Sequence, residues 1–232
     1  MPSLNASKWG YIQGPQNATF STANGASSGT ATANPTNATT AIEYRYQGRT
    51  TLVHSMRRSF FYFDTTSITV APTSATLDLL GNTIVSDTAI VIVVRSTAFS
   101  GDGSTDLSND DFNNTAFIGD GYDMSGIYNT WTNSGTNQIT LNSTALSHMS
   151  TSDHLILCLM QYGNDYRQAA ASSATTDNLA INFATTPVVN YVAGSTPSGP
   201  ADVTSFNGIA AANIEEINGI AFTSIEEING IS

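Results

Sequence analysis

Arg57-Arg-Ser-Phe-Phe-Tyr-Phe63 and Ser74-Ala-Thr-Leu-Asp-Leu79 are the two stretches that decide the fold of this chain. The first is dense in aromatic residues, which fit a pleated and partly buried surface. The second alternates, so that Ala75, Leu77 and Leu79 are predicted to point inward and the polar residues between them outward. Both patterns indicate β-strands.

Other segments of the chain repeat these strand signals. The further predicted strands are Glu43-Tyr-Arg-Tyr46, Ala89-Ile-Val-Ile-Val-Val94, Gln138-Ile-Thr-Leu141, the run from His154 to Met160, Asn178-Leu-Ala-Ile-Asn-Phe183 and Thr186-Pro-Val-Val-Asn-Tyr-Val192. The continuous apolar run at 89–94 predicts a strand covered on both faces, and Gly81-Asn82 predicts a turn. Short helical turns are predicted to begin at Ser108 and at Asn142. Many short strands without alternating helices predict an all-β, antiparallel sandwich.

Composition excludes several functional classes. Of the 232 residues 40% are hydrophobic, which is enough for a core, but only 11% are charged, against about 25% in a typical domain. The net charge is -11 and Lys8 is the only lysine, so a nucleic-acid binder and a protein that docks on acidic membranes are not expected. Because the N-terminus lacks an apolar signal segment and no stretch has the length of a membrane span, we expect synthesis in a cytoplasm without membrane insertion. Cys158 stands alone, so it is expected to be a buried thiol.

One region of the sequence resembles a known family. Arg57-Arg-Ser-Phe-Phe-Tyr-Phe-Asp-Thr-Thr-Ser-Ile68, followed by Pro72-Thr-Ser-Ala-Thr-Leu-Asp-Leu79, resembles the DNRLRE-type module, in which a strand reading R-x-x-x-x-F-D precedes S-I, a short loop and S-A-T-L-x-L. The later order of strands is similar too. The resemblance covers about residues 15–192. It implies a jelly-roll β-sandwich like that of carbohydrate-binding modules.

The end of the chain is a threefold repeat. Asp202-Val-Thr-Ser-Phe-Asn-Gly-Ile209, Asn213-Ile-Glu-Glu-Ile-Asn-Gly-Ile220 and Ser224-Ile-Glu-Glu-Ile-Asn-Gly-Ile231 align at a spacing of eleven. Each unit opens with a helix-capping residue and closes on a glycine, which predicts one helical turn, a stop and a short extended step. The repeats resemble the C-terminal repeats of structural proteins in tailed-phage virions.

These features predict four parts: an N-terminal arm at 1–14, the sandwich at 15–192, a linker at 193–201 and an assembly segment at 202–232, a short repeat appendage. A single helical turn is unstable alone, so phased isoleucines that cannot form their own core need a covering neighbour. A frayed terminus is the alternative, but disorder does not require such phasing. The predicted assembly contacts are Trp9, Tyr11, Ile12, Phe206, Ile209, Ile214, Ile217, Ile220, Phe222, Ile225, Ile228 and Ile231.

The function predicted from these parts is that of a bacteriophage virion structural protein, of the capsid decoration, cement, or head or tail fibre type. Its partners would be other virion proteins and copies of itself, with a trimer as the expected symmetric oligomer. It is not expected to be an enzyme or to carry a cofactor. The alternative is a carbohydrate-binding adhesin that holds a host surface glycan. The candidate glycan contacts are Tyr122, Tyr128, Trp131, Tyr162 and Tyr166, which could equally be lids over the ends of the sandwich.

Metal and catalytic chemistry have weaker support. Asp102, Asp106, Asp110 and Asp111 could supply oxygen ligands to calcium, but their spacing does not fit an EF-hand, so a solvated loop is favoured. The three histidines lack a metal-binding spacing. A glycosidase would need paired carboxylates. Asp64 is the obvious carboxylate, and it is expected to cap the next turn or to pair with Arg58.

Overall fold

The computed structural model describes residues 1–48, 51–86, 90–113, 122–194, 205–207, 209–210, 214, 216–217 and 220–221. It confirms the predicted fold class: the chain is mainly strands, and the strand pairings described are antiparallel. The chain forms two compact units, Met1–Ala193 and Gly194–Ser232.

The first unit contains the long strands. They are β1 (Ser3–Asn5), β2 (Lys8–Gln13), β3 (Thr30–Ala33), β4 (Ala38–Gln47), β5 (Val53–Asp64), β6 (Ser74–Ser86), β7 (Val91–Arg95), β8 (Thr136–Thr140), β9 (His154–Gln161), β10 (Thr175–Asn182) and β11 (Val188–Val192). The helical elements are α1 (Phe20–Asn24), α2 (Ser143–Thr151), 3-10 turns at Phe99–Gly101 and Asn109–Phe112, and a π-helical turn at Tyr162–Tyr166. The short helices predicted at Ser108 and Asn142 are thereby confirmed.

The strands of this unit form two layers. In the smaller layer, β11 and β8 flank the first half of β6, and β1 pairs with β11. In the larger layer, β5 has β2 and then β3 on one side. On its other side β4 pairs with its first half and β9 with its second half. Beyond these, β7 pairs with β9, and β10 pairs with β4 and with the second half of β6.

Strand β6 passes from one layer to the other, so the turn predicted at Gly81-Asn82 is wrong. The strand continues to Ser86, and Gly81 pairs with Ile181 of the larger layer. A Cβ atom at Gly81 would lie 1.9 Å from the carbonyl oxygen of Thr132, which only glycine avoids. Glycine in a strand often marks such a close approach or a corner between sheets.

The inner core lies between the two layers. It combines Leu77 and Val189 from the smaller layer with Phe61, Phe63 and Leu157 from the larger one. The alternation predicted for 74–79 is confirmed, since its three apolar residues are each at most 1% exposed. Side chains of period two thus fill a sandwich core.

The larger layer is also covered on its outer face, where a second apolar cluster includes Tyr44, Met56 and Phe60. Strand β7 shows both environments: Val93 packs into the inner core and Val94 into the outer cluster. The coverage predicted for 89–94 on both faces is therefore confirmed for Val91–Val94. The lone thiol of Cys158 lies in the outer cluster, and burial raises its pKa.

A buried ion pair holds the cover of this outer face in place. The Nε and Nη2 atoms of Arg58 donate to the two carboxylate oxygens of Asp165 at 2.9 and 2.6 Å, and both side chains are fully buried. Nη2 also donates to the carbonyl of Asn24 at 3.2 Å, and Nη1 donates to that of Phe112. The guanidinium carbon lies 4.1 Å from the centre of the Phe112 ring. One arginine of β5 therefore joins α1, a 3-10 turn and the π-helical turn.

The predicted pairing of Arg58 with Asp64 is wrong. Six residues of extended strand separate them, which is about 20 Å. The other predicted role of Asp64 is confirmed, since its Oδ1 accepts from the amide and hydroxyl of Thr66 at 2.9 and 2.7 Å. These hydrogen bonds lower the pKa of Asp64.

The prediction of an N-terminal arm at 1–14 is also wrong, because this segment forms β1 and β2, which are strands of the sandwich. Ile12 is fully buried in the outer cluster, whereas Trp9 and Tyr11 pack against the inner core. Trp9 also donates from Nε1 to the carbonyl of Pro35 at 3.0 Å. Neighbouring residues face opposite sides of a strand. Tyr11 and Ile12 therefore pack on opposite faces of the larger layer, as expected for a strand that is covered on both faces.

In the described part of the second unit there are two small hairpins, and the helical turns predicted for the first two repeats are wrong. β12 (Ser205–Phe206) pairs with β13 (Ile209–Ala210), and β14 (Glu216–Ile217) pairs with β15 (Ile220–Ala221). Two residues, Asn-Gly, separate the strands each time, and Asn207 has a φ of 49°. Asn-Gly strongly favours two-residue hairpin turns, and one helical turn is costly to nucleate. The third repeat lies outside the described residues.

Asp165→Ala is expected to lower the free energy of unfolding by about 3–5 kcal/mol, because it leaves the Arg58 guanidinium buried and unpaired. Asp106→Ala is the matched control: it removes an exposed partner of Lys8 at 3.6 Å, which should change stability by less than about 1 kcal/mol. Urea unfolding of the full chain measures both. Equal effects would show that the buried pair does not organise the fold.

Candidate ligand-binding surfaces

The structure separates the five predicted aromatic contacts. Trp131 is 6% exposed and belongs to the inner core, and Tyr128 packs against it edge-on with ring centres 6.3 Å apart. Asn137 holds the Trp131 loop against the core, since its Oδ1 accepts from the amide of Thr132 at 2.7 Å and its Nδ2 donates to the same residue's carbonyl at 3.0 Å. Trp131 is therefore a lid over the sandwich and not an exposed glycan contact.

Two other predicted contacts, Tyr162 and Tyr166, do come together. Their rings are stacked with centres 5.6 Å apart and an angle of 19°, and both side chains are partly exposed. Tyr166 donates from its hydroxyl to Oδ1 of Asp123 at 2.6 Å. One of the three residues between them in the π-helical turn is Asp165, which is paired with the buried Arg58. The stacked pair is thus a surface fixed from beneath.

The fifth contact, Tyr122, belongs to a different surface. The guanidinium carbon of Arg95 lies 5.2 Å from the centre of its ring, and the Arg95 amide donates to its carbonyl at 2.7 Å. Arg95 also lines a groove of about 420 Å³ beside α2. The floor of this groove is Met124, which is fully buried, and His148 forms part of its wall. Burial is the main cause that lowers the pKa of His148.

The four aspartates considered for calcium have separate roles. Asp102 accepts from the amide of Ser104 at 2.8 Å, and Asp106 faces Lys8 at 3.6 Å. Asp111 accepts from the amide of Ser108 at 2.9 Å as part of a capping box, and Asp110 is exposed in the same turn. Within the described ranges, no three His, Cys, Asp or Glu side chains are gathered so as to hold a metal ion.

The apolar residues of the tail are exposed where they can be described. Ile209 is 54% and Ile220 is 55% exposed, whereas Phe206, Ile214 and Ile217 are partly exposed. The remaining predicted contacts lie outside the described residues. These are Phe222, Ile225, Ile228 and Ile231.

Sequence reasoning missed Arg95, and it did not find the roles of Asp123 and His148 at these surfaces. Arg95 carried a usable signal, because it closes a run of four buried apolar residues in β7 and a charge there must emerge at the rim of the sheet. No local signal indicated the roles that Asp123 and His148 have here. Asp123 accepts from Tyr166, which is 43 positions away. His148 lines a groove that forms only where α2 approaches Arg95 in the folded chain.

No family model matches the chain, and no curated protein matches it significantly. Among the residues described, no helix is both long and apolar enough to cross a membrane.

Trp131→Ala is expected to lower the free energy of unfolding by about 3–5 kcal/mol, as the loss of a large buried ring does. Trp131→Phe is the control, because it keeps a six-membered aromatic ring and loses only the pyrrole part of the indole, whose nitrogen is buried with no hydrogen-bond partner among the described residues. Its effect should be clearly smaller in the same urea titration. An alanine variant as stable as the parent would restore Trp131 as a surface residue.

Proposed function

We propose that this chain is a non-catalytic structural subunit of a bacteriophage virion, held to its neighbours by the C-terminal repeats. The observation that carries the proposal is the exposure of Ile209 and Ile220, more than half of each side chain. They occupy the same place in consecutive hairpins, eleven residues apart.

Each hairpin offers a pair of apolar side chains. Phe206 lies opposite Ile209, and Ile217 lies opposite Ile220. Residues directly opposite each other in an antiparallel pair share a face, so each hairpin presents a small apolar patch. Isolated two-stranded hairpins are marginally stable in water, and strands of two residues bury little. A covering partner would therefore stabilise both the patch and the hairpin.

The free energy available supports assembly by repetition. Fully burying an isoleucine contributes about 1.5–3 kcal/mol, so covering the exposed half of each contributes about 1 kcal/mol. One such patch binds weakly. Two or three patches on every subunit of a symmetric oligomer act together, because linked contacts bind far more tightly than single ones. Other copies of the chain, as a trimer, and other virion proteins are the proposed partners.

The virion assignment itself comes from the repeat resemblance, and the sandwich is compatible with it. A covered β-sandwich of the proposed jelly-roll type can be displayed on a particle while the repeats attach it. The N-terminal residues no longer belong to the proposed attachment surface, since they are strands of the sandwich.

The full chain with Ile209→Asn and Ile220→Asn is expected to lose self-association, because the substitutions place amides in the apolar patches. Ile127→Asn is the matched control, since Ile127 is 53% exposed in the sandwich unit. Sedimentation equilibrium gives the mass of each protein. The proposal requires an oligomeric parent and control and a smaller double variant. One mass for all three would contradict it.

A second candidate function is glycan binding, which the stacked Tyr162 and Tyr166 favour. Tyrosine rings fixed at a surface provide flat apolar area at low entropic cost, and their hydroxyls form hydrogen bonds. Asp123 adds a carboxylate acceptor beside the rings. This surface suits a neutral sugar ring stacked on tyrosine, with its hydroxyls directed to the aspartate.

Tyr162→Ala is expected to weaken binding of a host surface polysaccharide by at least about tenfold, as loss of a central aromatic contact does. Tyr191→Ala changes a partly buried tyrosine of the other layer and serves as the control. Calorimetric titration of purified polysaccharide reports both affinities. Absence of saturable binding by the parent chain, or equal losses in the two variants, would remove this function.

A further inference from the structure

The basic residues of this acidic chain are few, and several are occupied. There are 7 Lys and Arg against 18 Asp and Glu. Lys8 faces Asp106, Arg58 is paired with Asp165, and Arg57 donates to Gln13 and to the carbonyl of Thr40. Within the described residues Arg95, like Arg45, Arg57 and Arg167, has no carboxylate at salt-bridge distance, although carboxylates outnumber basic groups in the chain. Arg95 is considered further because it lies in the groove beside α2, among hydroxyl side chains.

The surroundings of Arg95 are rich in hydrogen-bond donors. It emerges at the end of β7 into the groove beside α2, where its guanidinium lies over the Tyr122 ring. The groove is lined by Arg95, Met124, Ser143, Thr144, Ser147 and His148, with Thr151 at its far end. The α2 residues recur at intervals of four, so they share one face of the helix. Among the described residues, no acidic side chain belongs to the lining.

Two described acidic groups close to the groove along the chain, Asp123 and Asp153, contact other side chains. The carboxylate of Asp123 accepts from Tyr166 at 2.6 Å. Asp153 lies 2.5 Å from Nδ1 of His154, whose ring centre is 6.4 Å from that of His148. As far as the described residues go, the groove is thus a local region of donors and positive charge on a protein of net charge -11.

We infer that this groove is a binding site for an oxyanion substituent, such as the phosphate or sulfate ester of a small molecule or glycan, held by Arg95 with His148 and the hydroxyls of α2. The guanidinium presents two parallel N–H donors that match two oxygens of one anion. The cation–π contact with the ring of Tyr122 restrains the guanidinium. The hydroxyls of Ser143, Thr144 and Ser147 can each donate to a further oxygen.

A neutral or cationic ligand fits the groove less well. A cation would meet Arg95 without a carboxylate in the lining to balance it. A neutral sugar would leave the guanidinium with the same weak partners that it has in the free protein. An oxyanion gains charge-assisted hydrogen bonds from several donors that are already in place. The site does not depend on the proposed virion function, and the stacked tyrosines are not part of it.

Nuclear magnetic resonance titration of the ¹⁵N-labelled full chain tests this site with glucose 6-phosphate, galactose 6-sulfate, glucuronic acid and glucose as probes. The phosphate or the sulfate should shift signals of Arg95, Tyr122 and His148 in a saturable way. The carboxylate arm shows whether a planar oxyanion serves as well, and glucose should shift none of them. Shifts of equal size with glucose, or no saturable shift with any anion, would overturn the inference.

Two variants check the chemistry. Arg95→Gln should raise the dissociation constant of the bound anion at least about tenfold, because the bidentate charged contact is lost. Arg45→Gln, at a partly buried arginine that lines another groove, should leave it unchanged. Ser147→Leu fills the groove from an exposed position and should also abolish binding in a folded protein. Equal weakening by the Arg45 variant, or binding unaffected by both groove variants, would overturn the assignment.

Discussion

The buried pair of Arg58 and Asp165 is the constraint on which the outer half of this molecule depends. The two residues are 107 positions apart, and around them meet α1 and two loop turns that have little regular structure of their own. Asn24 closes the network, since its Nδ2 donates to the Asp165 carboxylate at 2.8 Å. Removing two charges from water is costly. The buried pair is therefore favourable only when the N–H groups of the Arg58 guanidinium have hydrogen-bond acceptors. Because these acceptors come from α1 and the two turns, the pair restricts how these segments pack.

The rigidity of the tyrosine surface follows from this pair. Asp165 cannot move without breaking its contacts to Arg58, and it lies in one helical turn with Tyr162 and Tyr166. The turn is π-helical, a form that is common at functional sites, and Gln161 caps it by accepting from the amide of Asn164 at 2.6 Å. A surface element is thus supported by a buried charge and by a cap from the preceding strand.

Local patterns predicted the parts of the fold that depend on burial along a single strand. The alternation at 74–79 and the apolar run at 89–94 follow directly from which faces are covered. The partner of Arg58 could not be predicted, because nothing near it in sequence identifies a carboxylate beyond position 160. The turn predicted at Gly81 is wrong for a related reason. Gly81 is needed because the backbone of Thr132 approaches it closely, and Thr132 is distant in sequence. A glycine between two apolar segments therefore resembles a turn when only its sequence neighbours are considered.

The repeats show how one dipeptide can support two structures. Asn-Gly can end a helix or form a hairpin turn, and the capping-box pattern of Ser224-Ile-Glu-Glu227 favoured the helix. The apolar residues on either side of Asn-Gly carried the better signal. Phe206 and Ile209 flank it in one repeat and Ile217 and Ile220 in the next, which places each pair directly across a two-residue hairpin.

Charge explains why the proposed contact between subunits must be apolar. Copies of a chain with a net charge of -11 repel each other, although salt limits that repulsion to about 8 Å at physiological ionic strength. The described basic side chains lie in the sandwich unit, and the repeats contain Glu but no Lys or Arg, so the repeats of two copies cannot attract each other by ion pairs. Exposed isoleucines at equivalent places in successive hairpins provide an attraction that does not depend on charge.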